Sequence, residues 1–166
     1  MAKYITAAQK RQEREIYRKI RKSPIYFVEL MWKITPQPLN EKYKQEVYEY
    51  IANDEWNLIQ AKHFNKFEIG KHLTWQQWLI LLQVEKAIHN LAPKRISIAS
   101  GHGIGKSSTM AILVLWYLFS NPLSQVPCTA NTGPQLYDVL WKEIAIWCSK
   151  MPKTIQSLFE IQTDYV

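Results

Sequence analysis

The chain has 166 residues, enough for one domain with a real core, and 47% of them are apolar, which excludes wholesale disorder. The formal net charge is +7, but residues 1–22 hold eight basic side chains against two acids, so a cationic arm precedes a nearly neutral body. No apolar run approaches the roughly 20 residues of a membrane span, and Met1 is followed by a basic, polar segment rather than a signal peptide's apolar region.

Residues 6–22 read as a basic helix with Thr6 as N-cap, and Ile16 and Ile20 offer a thin apolar seam. Two readings stay open for this arm: a solvated leader, or a segment whose Lys10, Arg11, Arg14 and Arg18 meet nucleic-acid phosphates with strong salt dependence. Ser23-Pro24 is a helix-start signal, and the spacing predicts a short apolar helix over 25–34, stopped by Thr35-Pro36-Gln37-Pro38. A longer helix is expected over about 41–61, where Tyr43, Val47, Tyr50 and Ile51 recur at helical spacing. Residues 63–72 read as a connection. Thr74 and Gln77 then form a capping box that opens a helix to about Leu91, leaving Gln76 as a polar side chain on its first turn. Pro93 closes that helix.

The most specific stretch runs from Lys94 to Ser108. Ile96 and Ile98 read as a short strand. Ser100-Gly101-His102-Gly103-Ile104-Gly105-Lys106-Ser107-Ser108 reads as a glycine loop that opens onto an apolar helix. Strand, glycine loop, lysine, hydroxyl and helix in this order is the layout of a phosphate-binding P-loop. A polyphosphate needs many donors in a small volume, and glycines let the backbone curl its N–H groups around the anion. The following helix aims its free N–H groups and positive dipole end at the same place. Lys106 is then the reach to the β- and γ-phosphates, and Ser107 the hydroxyl for Mg²⁺. The strict pattern has a glycine where this chain has Ser100. His102, inside the loop, is read equally as a phosphate sensor or a tolerated loop residue.

The helix beginning at Lys106 is expected to end at Asn121-Pro122. A second strand is expected near 127–130, then a helix from Thr132-Gly133-Pro134 carrying Leu136, Leu140, Ile144 and Trp147, ended by Met151-Pro152. A last helical turn near Ile155 and a strand over 159–166 close the chain. Strand–helix–strand–helix at this length predicts parallel pairing with a right-handed crossover. Cys128 and Cys148 fit no zinc spacing and read as reduced intracellular thiols.

Leu73-Thr74-Trp75-Gln76, the 95–107 stretch, Thr129-Ala130-Asn131-Thr132, Gln135 and Trp141-Lys142-Glu143 together resemble the N-terminal ATPase part of large terminase subunits. These are the motors that package double-stranded DNA in tailed bacteriophages and prophages. The resemblance covers roughly residues 23–166, and the Gly-His-Gly-Ile-Gly-Lys-Ser loop is its specific part. It implies ATP and Mg²⁺ as cofactors and a host-cytoplasmic location. It gives Gln76 the reading of the adenine edge. Ser100, Gly101, His102, Gly103, Ile104, Gly105, Lys106, Ser107 and Ser108 become the phosphate and magnesium site, with Lys106 the catalytic cation. It places Thr129 and Thr132 near DNA. The implied partners are double-stranded DNA, a small terminase subunit, a portal protein and further copies in a ring, with no membrane.

The expected fold is α/β: a P-loop NTPase-type parallel sheet with flanking helices, preceded by an α-helical N-terminal segment. The expected divisions are a basic arm (1–22), a helical region with the candidate glutamine (23–92) and the first part of an ATPase core (93–166). No apolar strand ending in Asp-Asp or Asp-Glu follows residue 108, no arginine follows Arg95, and the nuclease carboxylates of the family are missing. The sequence therefore reads as the front portion of such a motor: a truncated product, a remnant or one piece of a split machine. Whether it is itself an enzyme is left open. The alternative is a non-catalytic module that binds DNA or packaging partners. A small nucleotide kinase fits less well, because such enzymes carry arginines late in the chain.

Overall fold

The computed structural model describes residues 6–36, 72–99, 101 and 103–161. Within these, the chain is helical. Helix α1 (Ala7–Lys22) starts at a Thr6–Gln9 capping box, in which Thr6 Oγ1 accepts from the Gln9 N–H and the Gln9 side chain accepts from the Thr6 N–H. Its last turn carries Lys19, Arg21 and Lys22, the favourable sign for a helix C-terminus. Ser23 ends α1 and caps α2 (Pro24–Trp32): its Oγ accepts from the Tyr26 N–H at 3.0 Å and donates to Glu85 Oε2 at 2.6 Å. Lys33, with φ of 58°, turns the chain out of α2.

Helix α3 (Trp75–Ile88) opens on the Thr74–Gln77 capping box. It stops at Ile88 rather than continuing to Leu91. Asn90 sits at φ of 58°, a conformation asparagine tolerates better than most residues, and the Leu91 N–H returns to the Lys86 carbonyl at 2.8 Å. Helix α4 (Lys106–Ser120) occupies the middle of the described structure. Its sequence has no charge after Lys106, and Thr109, Ala111, Ile112, Val114, Leu115, Trp116 and Ser120 are buried around it. A helix apolar on most faces needs neighbours on most faces. Helices α1, α2, α3 and α5 (Lys142–Ser149) supply them. A π-helical stretch, Gln135–Trp141, runs directly into α5, and a short α6 (Lys153–Gln156) follows.

The main core joins Ile20 of α1, Phe27 and Met31 of α2, Ala111, Val114, Leu115 and Trp116 of α4, Ile144 and Cys148 of α5, and Met151. A second cluster joins Val28, Leu73, Leu81 and Ile112. Two long-range hydrogen bonds tie α1 to the C-terminal half of α4. The Trp116 indole donates to the Ile20 carbonyl at 2.8 Å, and the Tyr17 hydroxyl donates to the Ser120 carbonyl at 3.2 Å.

The expected parallel P-loop sheet is not formed by the described residues. Their one ladder is a two-residue parallel pairing of β1 (Thr35–Pro36) with β2 (His72–Leu73). Residues 95–99 are exposed and join no ladder, and Ile96 and Ile98 keep 39% and 38% of their surface open. Residues 127–130 join none either, although Val126 and Cys128 pack against the main core. Nor do residues 159–161 form a strand, while 162–166 lie outside the described residues. Alternation marks a segment able to pair, but pairing needs a neighbour with matching register, and two or three isolated residues cannot supply one. The expected helix over 41–61 and the connection at 63–71 also lie outside the described residues.

Candidate functional site

The loop that leads into α4 is built around one peptide group. Gly105 is the N-cap of α4 at φ of 80° and ψ of 27°, a left-handed conformation that favours glycine. Its carbonyl accepts three donors: the Thr109 N–H at 2.9 Å, Thr109 Oγ1 at 2.9 Å and Gln77 Nε2 at 3.4 Å. Thr109 is fully buried, so this anchor is fixed from inside the core. A trans peptide holds its C=O and N–H antiparallel. With the carbonyl pinned along the axis of α4, the N–H of Lys106 points out of the helix end. Gly105 has no side chain to accept from the first turn, so the N-terminal amides of α4 face the loop side without a side-chain cap. Gly103, at φ of 83°, makes a second left-handed step two residues earlier.

Lys106 lies at the mouth of this curl. Its Nζ donates to the Gly101 carbonyl at 2.7 Å, drawing the start of the loop toward its end. Ser107 is half-buried on the same turn. Ser108 is held from the other side, where the Trp147 indole N–H of α5 donates to its Oγ at 2.6 Å. That bond fills an acceptor position on Ser108 and leaves its own O–H to donate elsewhere. The helix dipole, the ammonium and the outward amides all favour an anion at this point. For a magnesium ion the loop offers the Ser107 hydroxyl, and among the described residues no group of three or more His, Cys, Asp or Glu is placed to hold a metal alone. A metal here fits as a companion of bound phosphate oxygens.

The other expected residues fall in different places. Ser100 and His102 lie outside the described residues. Gly101 and Gly103 are exposed; Ile104 and Gly105 are half-buried. Gln76 is on the first turn of α3 and half-buried, but the side chain that touches the loop is its neighbour Gln77. The capping box accounts for only one end of that amide. Oε1 accepts from the Thr74 N–H, while the NH₂ end is left for Gly105. An unspent donor on a capping glutamine is the signal that could have pointed here. Trp147 had a signal too: it sits on the apolar seam of α5, and a half-buried indole N–H needs an acceptor.

Thr129 and Thr132 are exposed, and Thr132 acts as a cap, its Oγ1 accepting from the Gln135 N–H at 3.4 Å. Lys10, Arg11, Arg14 and Arg18 are exposed on α1, where a shallow groove is lined by Lys10, Glu13, Arg14, Tyr17 and Arg18. Because α1 is tied to the C-terminal end of α4, this basic surface and the glycine loop occupy opposite ends of a 15-residue helix, about 20 Å apart along its axis. Among the described residues no helix is long and apolar enough to cross a membrane. No protein-family model, curated protein or solved structure matches this chain.

Proposed function

We propose that the 101–108 loop holds the phosphate chain of a nucleoside triphosphate, and that the chain serves as the ATP-binding part of a DNA-packaging motor of the large-terminase kind. The observation that carries the first half is the Gly105–Lys106 peptide: its carbonyl is anchored by Thr109 and Gln77, which turns the amides of α4 outward beside the Lys106 ammonium. Main-chain donors and one cation at a helix start make a phosphate site. In this reading Lys106 neutralises the terminal phosphates. Ser107 contributes a hydroxyl to Mg²⁺, and Ser108 donates from a position set by Trp147. The second half rests on the sequence resemblance to packaging motors, and with it come the partners: duplex DNA, a small terminase subunit, a portal protein and further copies of the chain.

The test is calorimetric titration of the purified chain with Mg²⁺ and a non-hydrolysable ATP analogue. The wild type is expected to bind, and Lys106→Ala to weaken binding at least about tenfold, since a charge-assisted contact exceeds the 1.4 kcal/mol that a factor of ten represents. A folded chain that releases no heat at millimolar analogue would sink the reading.

A second reading, a non-catalytic module that binds packaging partners, draws on residues 95–99, whose backbone joins no ladder and whose isoleucines are exposed. Binding of a packaging protein, rather than DNA, that survives Lys106→Ala favours it.

A further inference from the structure

Six of the seven cations of α1 share one side of the helix. At about 100° per residue, Lys10, Arg21, Arg14, Arg18, Arg11 and Lys22 follow one another around a single arc of roughly 120°, with no acid inside it, and only Lys19 lies apart, beyond Glu15. Glu13 and Glu15 border the arc on either side. All six cations are exposed, and none is held by a carboxylate among the described residues. From Lys10 to Lys22 the row extends about 18 Å, the length of about five phosphates along one strand of a duplex.

The opposite face of α1 is already committed. Ile20 is 3% exposed in the main core, Ile16 packs against that core, and the Tyr17 hydroxyl is bonded to α4. This narrows the partner. A helix that lies on a lipid surface must bury an apolar face in the membrane, and this one has spent its apolar side chains on the body of the protein. Single-stranded nucleic acid is gripped largely by stacking on aromatic rings, and the one ring beside the arc, Tyr17, already meets Phe119 edge to face and spends its hydroxyl on the Ser120 carbonyl. A duplex presents its phosphates in fixed rows that a row of cations can follow, and the choice of DNA over RNA rests on the proposed packaging-motor reading.

We propose that the exposed basic face of α1 is a docking surface for the phosphate backbone of duplex DNA, independent of base sequence and distinct from the nucleotide loop at the other end of α4. Docking α1 through Trp116 and Tyr17 fixes the row of charges relative to the core, so the cations are presented without ordering a free tail.

The experiment is fluorescence anisotropy of the full chain with a labelled DNA duplex of about 20 base pairs and arbitrary sequence, titrated at salt from about 50 to 200 mM. If about five of the six cations engage, the log–log salt slope is about −4 to −5 and affinity falls a few hundredfold over that range. Arg11→Gln/Arg14→Gln/Arg18→Gln keeps good helix formers on an exposed face and should flatten the slope by about 3. Lys106→Ala should leave duplex affinity unchanged, which separates this surface from the nucleotide reading. The proposal is overturned if the wild type does not bind at the lowest salt. It is also overturned if the triple variant, shown folded by circular dichroism, binds with an unaltered slope. Tighter binding to single-stranded DNA, or to vesicles with about a third anionic lipid, than to the duplex overturns it as well.

Discussion

The Trp147 indole N–H donates to Ser108 Oγ at 2.6 Å, joining α5 to the first turn of α4 just behind the glycine loop. The backbone carbonyl of Trp147 also accepts from the Trp32 indole at 3.0 Å, and the two rings meet edge to face at 5.0 Å. A chain of contacts therefore runs from α2 through α5 to a loop hydroxyl. Trp147→Phe keeps a ring in place but removes the donor and some buried volume. We expect it to lower the unfolding free energy by about 2 kcal/mol in urea titration. Ser108→Ala strands the indole N–H and should cost about 1–2 kcal/mol. The double variant should cost less than the sum by about 1 kcal/mol, because the two residues share one bond. Simple additivity would mean that the contact does not hold the two helices.

Gly103 and Gly105 share a left-handed backbone but differ in their surroundings. A Cβ at Gly103 meets nothing within 4 Å, whereas one at Gly105 would lie 2.5 Å from Gln77 Nε2. Gly103→Ala therefore carries only the conformational penalty, about 1–2 kcal/mol. Gly105→Ala carries that penalty and also displaces the glutamine from the Gly105 carbonyl. It is expected to be the more destabilising of the two, with a larger loss of nucleotide affinity. Gln77→Ala alone gives up the side-chain half of the α3 capping box, but in its background Gly105→Ala should cost less than in the wild type, since the clash is gone and only the φ strain remains. Thermal unfolding of Gly103→Ala, Gly105→Ala, Gln77→Ala and the Gln77→Ala/Gly105→Ala double variant checks the order.

What could be read in the sequence was what depends on neighbours in the chain. Thr6, Ser23-Pro24 and the Thr74–Gln77 pair marked helix starts because a cap needs only residues three apart. The run from Lys106 to Ser120 marked α4 because, after the lysine, only apolar or small residues follow until Asn-Pro, which admits little else. Of the seam of Leu136, Leu140, Ile144 and Trp147, the last three pack in or against the main core, Leu140 from the π-helical stretch and Ile144 and Trp147 from α5. It did not show that Gln135–Trp141 would be π-helical, a change in hydrogen-bond spacing with little trace in local propensity. The strands failed for a related reason. Ile96-Ser97-Ile98 has the alternation of a strand, yet a ladder is a property of two segments. The contact of Gln77 with the Gly105 carbonyl was not legible because the approach of α3 to α4 is set by packing, which a one-dimensional motif does not contain.

Ser120 presents a buried hydroxyl with no partner among the described residues, although its carbonyl accepts from Tyr17. Desolvating an unpaired hydroxyl costs about 1–2 kcal/mol, and alanine is also the better helix former. Ser120→Ala should therefore raise the melting temperature, by several degrees for a gain of about 1 kcal/mol. The carbonyl bond from Tyr17 is untouched by the change. A lower melting temperature would place a hidden acceptor or water against Ser120 Oγ.

Both thiols are pushed above their ordinary pKa by burial. Cys148 is buried on α5, and Cys128 is half-buried, with its Sγ donating to the Val126 carbonyl at 3.6 Å. The sign for stability follows from which state ionises first. In the unfolded chain a thiol loses its proton near about pH 8.5, while the folded chain holds it to higher pH. Above that point the folded state binds more protons, so its stability falls as pH rises. Below it the contribution is fully present and flat. Melting curves should therefore show a loss above about pH 8.5 that is shallower in Cys128→Ala/Cys148→Ala than in the wild type. Reaction with a thiol reagent at mildly alkaline pH should be slow for both cysteines and slower for Cys148, which is 4% exposed. Equal and rapid labelling of both, in a chain still folded, would show that α5 opens readily from the core and that its hold on Ser108 is transient.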